Sequence, residues 1–304
     1  MANQFPVFSI IIPTYNRAHL IEKTLKCLEE QTFQDFETIV VDNCSTDNIK
    51  DVIAPFVKAG KVRFIQHDKN YERAKSRNTG LENAHGKYAT LLDSDDVLFP
   101  LFFERANDFI SKNITVKVFH SLYNILDENG DVYYKIQFPE ITSDMSHLVE
   151  GNYLSCHAVF LEREVYQAFR FDTNPELTGH EDYEFWLRVL AHYPLQRLPE
   201  YNSAMIEHKG RSFSGFTIDQ TLKQRAYVID KFSKDVFLKN RYGKQLNRLN
   251  ASFFVYAAVQ CNLGGLYSKA LWCLKQAVKI DISILFTKRF IRSLQIALFK
   301  EKIK

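Results

Sequence analysis

Three carboxylates crowd into four residues where the apolar run Tyr88-Ala89-Thr90-Leu91-Leu92 meets Asp93-Ser94-Asp95-Asp96. Side chains alternate faces along a strand, so this pattern turns Asp93 and Asp95 one way and Ser94 the other. Two carboxylates converging at a strand's carboxyl end repel each other unless a proton or a cation sits between them. Such a pair suits a hard divalent cation. A solvated acidic turn leaving a strand satisfies the same spacing, so the motif alone leaves both readings open.

The elements that would position these acids can be read upstream. Val7 to Ile12 is apolar on both faces and is ended by Pro13, which predicts a buried parallel strand. Asn16 is placed to cap a following helix that carries Leu20, Ile21, Leu25 and Leu28 at helical spacing. Thr38 to Val41 predicts a second strand closed by Asp42, and Lys61 to Ile65 a third, after a helix over 48–58. A helix from Arg73 to Ala84 is broken by Gly86 before the strand that ends in the acids. This rhythm predicts a parallel α/β sheet with ligands at the strands' carboxyl ends. Thr14 and Tyr15 follow the first strand, Asp42 closes the second, and Asp93 and Asp95 close the fourth. Three coincidences on one edge argue for a single crevice.

After Asp96 the alternation loosens. The pattern predicts a helix over 100–112, strands Val116–Leu122, Val132–Phe138 and Ala158–Leu161, and a turn at Asp127 to Asp131. Gly179-His180-Glu181-Asp182 opens a helix whose apolar side carries Phe185, Trp186, Val189 and Leu190. Glu181 and Asp182 then lie in a first turn, where the helix dipole favours negative charge, and dipole-matched surface charges would look the same. A last strand, Tyr201–Ile206, delivers His208 into the loop Lys209 to Gly215. From about 217 the chain is helical, and residues 266–280 have the small and apolar spacing of one helix of a repeat hairpin, in a single copy. The final helix, Ile284 to Phe299, sets Phe290, Ile291, Leu294 and Leu298 beside Lys288, Arg289 and Arg292, with Lys300, Lys302 and Lys304 beyond. It can lie on an anionic bilayer or cover a core with its charges in water.

Composition narrows the classes. With 304 residues, 46% of them hydrophobic and 25% charged, the chain is an ordinary globular protein of one large or two modest domains. A net charge of +3 gives no reason to expect a nucleic-acid partner. The five cysteines are odd in number, scattered and never spaced as Cys-x-x-Cys, which fits reduced thiols and gives no zinc signature. Met1 to Pro6 lacks the basic and apolar regions of a secretory signal, and no run reaches the roughly 18 apolar residues of a membrane span. The expected location is the cytoplasm, with peripheral contact at the cytoplasmic face of a membrane through the terminal basic helix.

With its motifs placed, the chain resembles the inverting glycosyltransferases of family 2, which have a GT-A fold. The matching residues are Ser9 to Arg17, Val40-Val41-Asp42-Asn43-Cys44-Ser45-Thr46-Asp47, Ser76-Arg77-Asn78-Thr79-Gly80, Gly86-Lys87-Tyr88 through Asp96, and Glu181-Asp182. They keep the family's order over roughly the first 210 residues. The resemblance implies a Rossmann-like, mostly parallel central sheet flanked by helices, as a GT-A domain over 1–215, with an all-helical C-terminal region over 216–304. It implies a nucleotide-sugar donor, most simply UDP-linked, and a saccharide or lipid-linked acceptor in cell-surface polysaccharide biosynthesis. Pro13 and Tyr15 would flank the nucleoside, with Thr14 beside them, and Asp42 would read the uracil edge. Arg77 would lie near the base or its phosphates.

For the acidic motif the resemblance implies Asp93 on the ribose or a metal-bound water and Asp95 on a divalent cation, Mn²⁺ or Mg²⁺. Ser94 and Asp96 count among the substrate-binding residues, with Asp96 toward the acceptor, and His208 is the candidate imidazole ligand. Asp182 would be the general base and Glu181 its neighbour, orienting it or binding acceptor hydroxyls. The chain departs from the commonest pattern at Asn43 and Cys44, where the family often has a second acid and Gly. Asn43 keeps hydrogen-bonding capacity, so a small change in affinity is expected. Cys44 in place of Gly suggests a turn with no need of positive φ. The competing readings are a binding or scaffold protein with a decayed site and a metal-dependent nucleotidyltransferase. Dinucleotide-dependent dehydrogenation is disfavoured, because Pro-Thr-Tyr-Asn follows the first strand in place of a Gly-rich turn.

Overall fold

The computed structural model describes residues 5–208 and 217–300. The loop Lys209 to Gly215, Lys302 and Lys304 therefore lie outside the described residues. In chain order the elements begin β1 (Phe8–Thr14), α1 (Ala18–Glu29), β2 (Phe36–Asp42), α2 (Ile49–Lys58), β3 (Arg63–Gln66), α3 (Arg73–Glu82) and β4 (Tyr88–Leu91). There follow β5 (Val97–Leu98), α4 (Phe102–Lys112), β6 (Val118–Leu126), β7 (Val132–Tyr134), α5 (Ser146–Val149), β8 (Val159–Glu162), α6 (Arg163–Ala168), α7 (Glu181–His192) and β9 (Leu195–Ile206). The chain ends in α8 (Ile218–Lys234), α9 (Val236–Tyr242), α10 (Gln245–Leu263), α11 (Tyr267–Ile280) and α12 (Lys288–Phe299).

The strands form one sheet in the order β3-β2-β1-β4-β8-β6-β9-β5, with β7 hung on β6. The half that carries β1 to β4 is parallel, as the alternation predicts, and β8, β5 and β7 run antiparallel to their neighbours. The fold is thus mixed α/β, with a mostly parallel centre. Several strands differ in extent from the sequence reading: β6 runs over Val118–Leu126 rather than Val116–Leu122, and β5 has no counterpart in it. β9 begins at Leu195 rather than Tyr201, and β7 stops at Tyr134 rather than Phe138.

β1 is buried along its whole length because it lies between two partners and under helices on both faces. Phe8, Ile10 and Ile12 face Ile21, Leu25 and Leu28 of α1 and Phe102 and Phe103 of α4. Each such side chain contributes about 1.5–3 kcal/mol by leaving water. On the opposite face α3 presses against Ile11. A Cβ on Gly80 would stand 2.1 Å from Ile11 Cγ2, so only glycine lets this helix reach the sheet. β1 runs one residue past Pro13, which is tolerated for a topological reason. Ile11 O accepts from Leu92 N and Thr14 O from Asn43 N, so alternation turns Pro13 toward the β4 side, where β4 has already ended.

The chain forms two compact units, each described by itself. The first takes 5–138, 154–173 and 192–208 and holds the whole sheet. The second gathers 139–153 and 174–191 with the helices of 217–300. The sequence reading cut the chain once, at 215, and left those two segments with the sheet. Polar and apolar contacts tie them to the C-terminal helices instead. Tyr183 Oη donates to Leu148 O at 2.7 Å and joins the two segments to each other, while Tyr242 Oη of α9 donates to Leu187 O of α7 at 2.7 Å. Buried Glu184 of α7 accepts from Arg188 at 2.6 Å and pairs with Lys231 of α8 at 2.8 Å. The final helix begins at Lys288, after a 3-10 turn over Ile282–Phe286. Its apolar residues do not share one face. Phe290 turns inward, whereas Ile291 and Leu298 turn out. No described helix is long and apolar enough to cross a membrane.

Candidate functional site

The strand order reverses at β1, with β2 on one side and β4 on the other, and ligands of open α/β sheets sit in the crevice outside such a point. Thr14 and Asp42 stand opposite each other at the carboxyl ends of β1 and β2, and the acidic motif follows β4 on β1's other side. Pro13 is buried, and Tyr15 beyond it is 42% exposed, which leaves its ring open to a planar partner. Thr14 Oγ1 is buried with no partner among the described residues, a hydroxyl that a bound polar group could satisfy.

Asp42 is fully buried, and its carboxylate is already engaged. Oδ1 accepts from Ser45 Oγ at 2.5 Å and from Ser45 N at 3.1 Å, while Oδ2 accepts from Gln66 Nε2 at 2.7 Å. Gln66 is the residue paired with Asp42 in the β2–β3 register, which is why its amide arrives there. The next residue, Asn43, organises the following loops. Its Nδ2 donates to Asn70 Oδ1 at 2.7 Å, and its Oδ1 accepts from Tyr71 N at 3.0 Å and faces His67 Nδ1 at 3.1 Å. Burial first, and Lys75 second, lower the pKa of His67 and favour the neutral ring. That ring donates from Nδ1 and accepts from Thr79 at Nε2.

Two sequence expectations fail in the loops after β1 and β2. Cys44 has φ 64°, so the turn does need the left-handed region and holds a non-glycine residue there at a cost of roughly 1–2 kcal/mol. Asn16 does not cap α1. It has φ 52°, and its Oδ1 accepts from Thr46 N at 2.8 Å. The cap comes from Asp47, whose Oδ2 accepts from Ala18 N at 2.8 Å and whose Oδ1 accepts from Ile49 N at 3.3 Å. One carboxylate thereby serves the N-terminal turns of α1 and α2.

The acidic motif is a turn rather than a strand end, since β4 stops at Leu91 and Asp96 N donates to Asp93 O at 3.0 Å. Face alternation therefore does not sort its side chains; their partners do. Asp93 accepts from Arg77 Nη2 at 3.1 Å, and the Arg77 guanidinium, almost wholly buried, lies over the Phe171 ring at 5.3 Å. Asp95 Oδ2 is met by both the Arg17 guanidinium and His208 Nε2, the latter at 2.9 Å. Ser94 is buried. Asp96 was expected toward the acceptor, but it is 0% exposed and faces the protein. Its Oδ1 accepts from Ile206 N at 3.1 Å, and its Oδ2 faces His157 Nδ1 at 3.2 Å, a nitrogen that Ser155 Oγ also reaches at 2.9 Å. By gripping Ile206, Asp96 sets where His208 emerges two residues later.

Glu181 and Asp182 belong to the second unit, in the first turn of α7. Glu181 is buried, with Oε2 accepting from Gly179 N at 2.6 Å, so it closes the turn that starts the helix. Asp182 is half-buried, its Oδ2 accepts from Asn152 Nδ2 at 3.0 Å, and its Oδ1 accepts from Tyr183 N at 2.7 Å. His180, before them, packs against the Tyr256 ring at 5.3 Å. Its pKa is lowered by burial to about 4.

Among the described residues, no three His, Cys, Asp or Glu side chains converge as a metal cage. The donor set on offer is the pair Asp95 and His208. It fits Mg²⁺ or Mn²⁺, ions that bind through one or two protein ligands and complete their shells with substrate phosphate and water. The sequence reading quotes Arg17 and Asp47 in its motifs without giving them a role, and it does not name Gln66 or His157. Arg17 alone had a visible signal, as the only cation in the turn after β1. The others act through residues far along the chain.

Comparison with known proteins places this geometry in context. The model of the family described as "Glycosyl transferase family 2" matches residues 9–176. The chain is 26% identical over 282 residues to the putative teichuronic acid biosynthesis glycosyltransferase TuaG of Bacillus subtilis, covering 92% of this chain and 97% of that one. It is 28% identical over 182 residues to the Escherichia coli UDP-Glc:alpha-D-GlcNAc-diphosphoundecaprenol beta-1,3-glucosyltransferase WfgD, covering 60% and 69% respectively. Its fold matches that of S. aureus TarS 1-349 in complex with UDP-GlcNAc with a TM-score of 0.67 at 18% identity, over 98% of this chain and 93% of that one.

Proposed function

The chain belongs to glycosyl transferase family 2, and from that premise we propose that it moves a sugar from a UDP-linked donor to a saccharide or lipid-linked saccharide hydroxyl in cell-surface polysaccharide synthesis, by one inverting displacement. It is a glycosyltransferase enzyme. The observation that carries the finer reading is the Asp95 carboxylate outside the β1–β4 reversal point, shared by Arg17 and His208. The UDP-GlcNAc held by TarS and the UDP-glucose and diphosphoundecaprenol acceptor in the name of WfgD support the donor and acceptor classes.

In this reading Pro13, Thr14 and Tyr15 line the nucleoside. Asp42 accepts from the uracil ring N–H, with Ser45 and Gln66 fixing the orientation of its carboxylate. Arg77 is committed to Asp93 and orients that acid toward the ribose rather than reaching the phosphates itself. Asp95 and His208 would hold Mn²⁺ or Mg²⁺, which when bound neutralises charge on the leaving diphosphate. Arg17, paired with Asp95 at the same edge, would be a second cation for the diphosphate.

Asp182 takes the acceptor hydroxyl's proton as the oxygen attacks the anomeric carbon and the bond to the diphosphate breaks. Asn152 and the Tyr183 N–H hold its carboxylate in place, and Glu181 stabilises the turn beneath it. Incubating the protein with a panel of nucleotide-sugars, Mn²⁺ and candidate acceptors tests the proposal. Release of UDP is expected, whereas release of pyrophosphate would instead indicate a nucleotidyltransferase.

A further inference from the structure

The charge of this chain is segregated. After position 262 there are nine basic and two acidic residues, against thirty and thirty-four before it, so a net +7 tail follows a body of net −4. Within the described part of that tail the single acid, Asp281, is spent locally, its Oδ1 accepting from Ser283 N at 2.9 Å as the cap of the 3-10 turn.

The same segment shows apolar side chains to the outside. Its inner face is already satisfied, because Ile284, Phe290 and Ala297 join Phe254, Ala258 and Leu274 in the core shared by α10, α11 and α12. A second apolar set remains outside that core. Phe286 is 82% exposed and Phe299 is 73% exposed, with Ile282, Ile291 and Leu298 exposed between and beside them. On α12 the outward positions 288, 291, 292, 295, 298 and 299 follow helical spacing and read Lys, Ile, Arg, Gln, Leu and Phe. Aromatic and aliphatic groups are thus bracketed by cations with no acid among them.

We infer that the outer face of α12 with the preceding 3-10 turn is a docking surface for an anionic lipid bilayer. Phe286, Leu298 and Phe299 enter the headgroup–acyl boundary, and Lys288 and Lys300 meet lipid phosphates. Charge decides against a second copy of the chain, since a two-fold contact would set this acid-poor, basic face against itself. It also decides against a purely ionic ligand, which would leave the five apolar side chains in water. The inference is independent of the donor and metal assignments.

The test is flotation of the full chain with vesicles of phosphatidylglycerol and phosphatidylcholine, and with phosphatidylcholine alone, at low and high salt. The variants are Phe286→Ser/Leu298→Ser/Phe299→Ser and Lys288→Glu/Lys300→Glu. All five positions are exposed, and circular dichroism with a thermal melt verifies that each variant folds. The protein is expected to float with anionic vesicles, to lose binding in high salt, and to bind at least tenfold more weakly in both variants. Failure of the native chain to float overturns the inference, as does flotation of the apolar variant at the native level. A concentration-dependent dimer that this variant abolishes, or retention by RNA in place of vesicles, assigns the face to another occupant and overturns it equally.

Discussion

Arg17 lays its guanidinium on Oδ2 of Asp95, the same oxygen that His208 Nε2 meets at 2.9 Å. A nearly buried carboxylate needs a positive partner, and Arg17 supplies it. A divalent cation using this oxygen would compete with the guanidinium. The protein should therefore bind Mn²⁺ weakly alone and more tightly with UDP. Arg17→Met should raise nucleotide-free Mn²⁺ affinity by about tenfold or more while lowering turnover. Titration followed by electron paramagnetic resonance reads the first effect without reference to activity. Equal affinity in the two proteins would remove Arg17 from this role.

Asp182→Asn keeps the shape of the side chain and its bond to Tyr183 N but removes the proton acceptor. Turnover should fall about 100-fold or more with donor affinity nearly unchanged. The pattern to look for is a kcat effect with a preserved dissociation constant for UDP.

Asp96→Ala should damage stability and donor handling together. The substitution leaves the Ile206 N–H and His157 buried without their carboxylate, and a buried polar group deprived of its partner costs about 1–3 kcal/mol. His208 then loses the anchor that sets its position. Urea denaturation should show the loss, and Mn²⁺-dependent UDP affinity should drop even at temperatures where the variant stays folded.

His180 gives a pH signature of the second unit. Its folded pKa of about 4 lies below the unfolded value of 6.5, so the unfolded chain takes up the proton first as the solution is acidified. The stabilisation is complete above pH 6.5 and is lost as pH falls toward 4, by up to about 3 kcal/mol. His180→Phe should flatten the stability profile in that window, measured by chemical denaturation at a series of pH values. An unchanged slope would assign the acid sensitivity to other groups.

The parts of the fold that were legible in the sequence are those whose signal is local. The all-buried run Phe8 to Ile12 announces a central parallel strand, and Gly86 marks the break before β4. The edge that gathers Thr14, Asp42 and the acidic motif follows from strand–helix rhythm alone. What could not be read is set by partners distant in the chain. Asp96 looks like its neighbours Asp93 and Asp95 until Ile206, 110 residues away, claims its Oδ1. Cys44 accepts a left-handed φ because Asp42, Ser45 and Asn43 fix both sides of its turn, and a residue's type alone does not reveal such enforcement. Asn16 has the composition of a cap, yet Asp47 arrives from the neighbouring loop and takes the role. For α12 the sequence leaves core and bilayer both open, because the helix has apolar groups on two faces and only one can be inside.

The central claim is a single displacement from a UDP-sugar at the anomeric carbon, and the stereochemistry of the product tests it most directly. Proton nuclear magnetic resonance of a reaction with an α-linked UDP-sugar, taken early in turnover, reads the anomeric coupling of the new linkage. The account predicts a β-linked product formed in step with UDP. An α-linked product, or pyrophosphate in place of UDP, would contradict it.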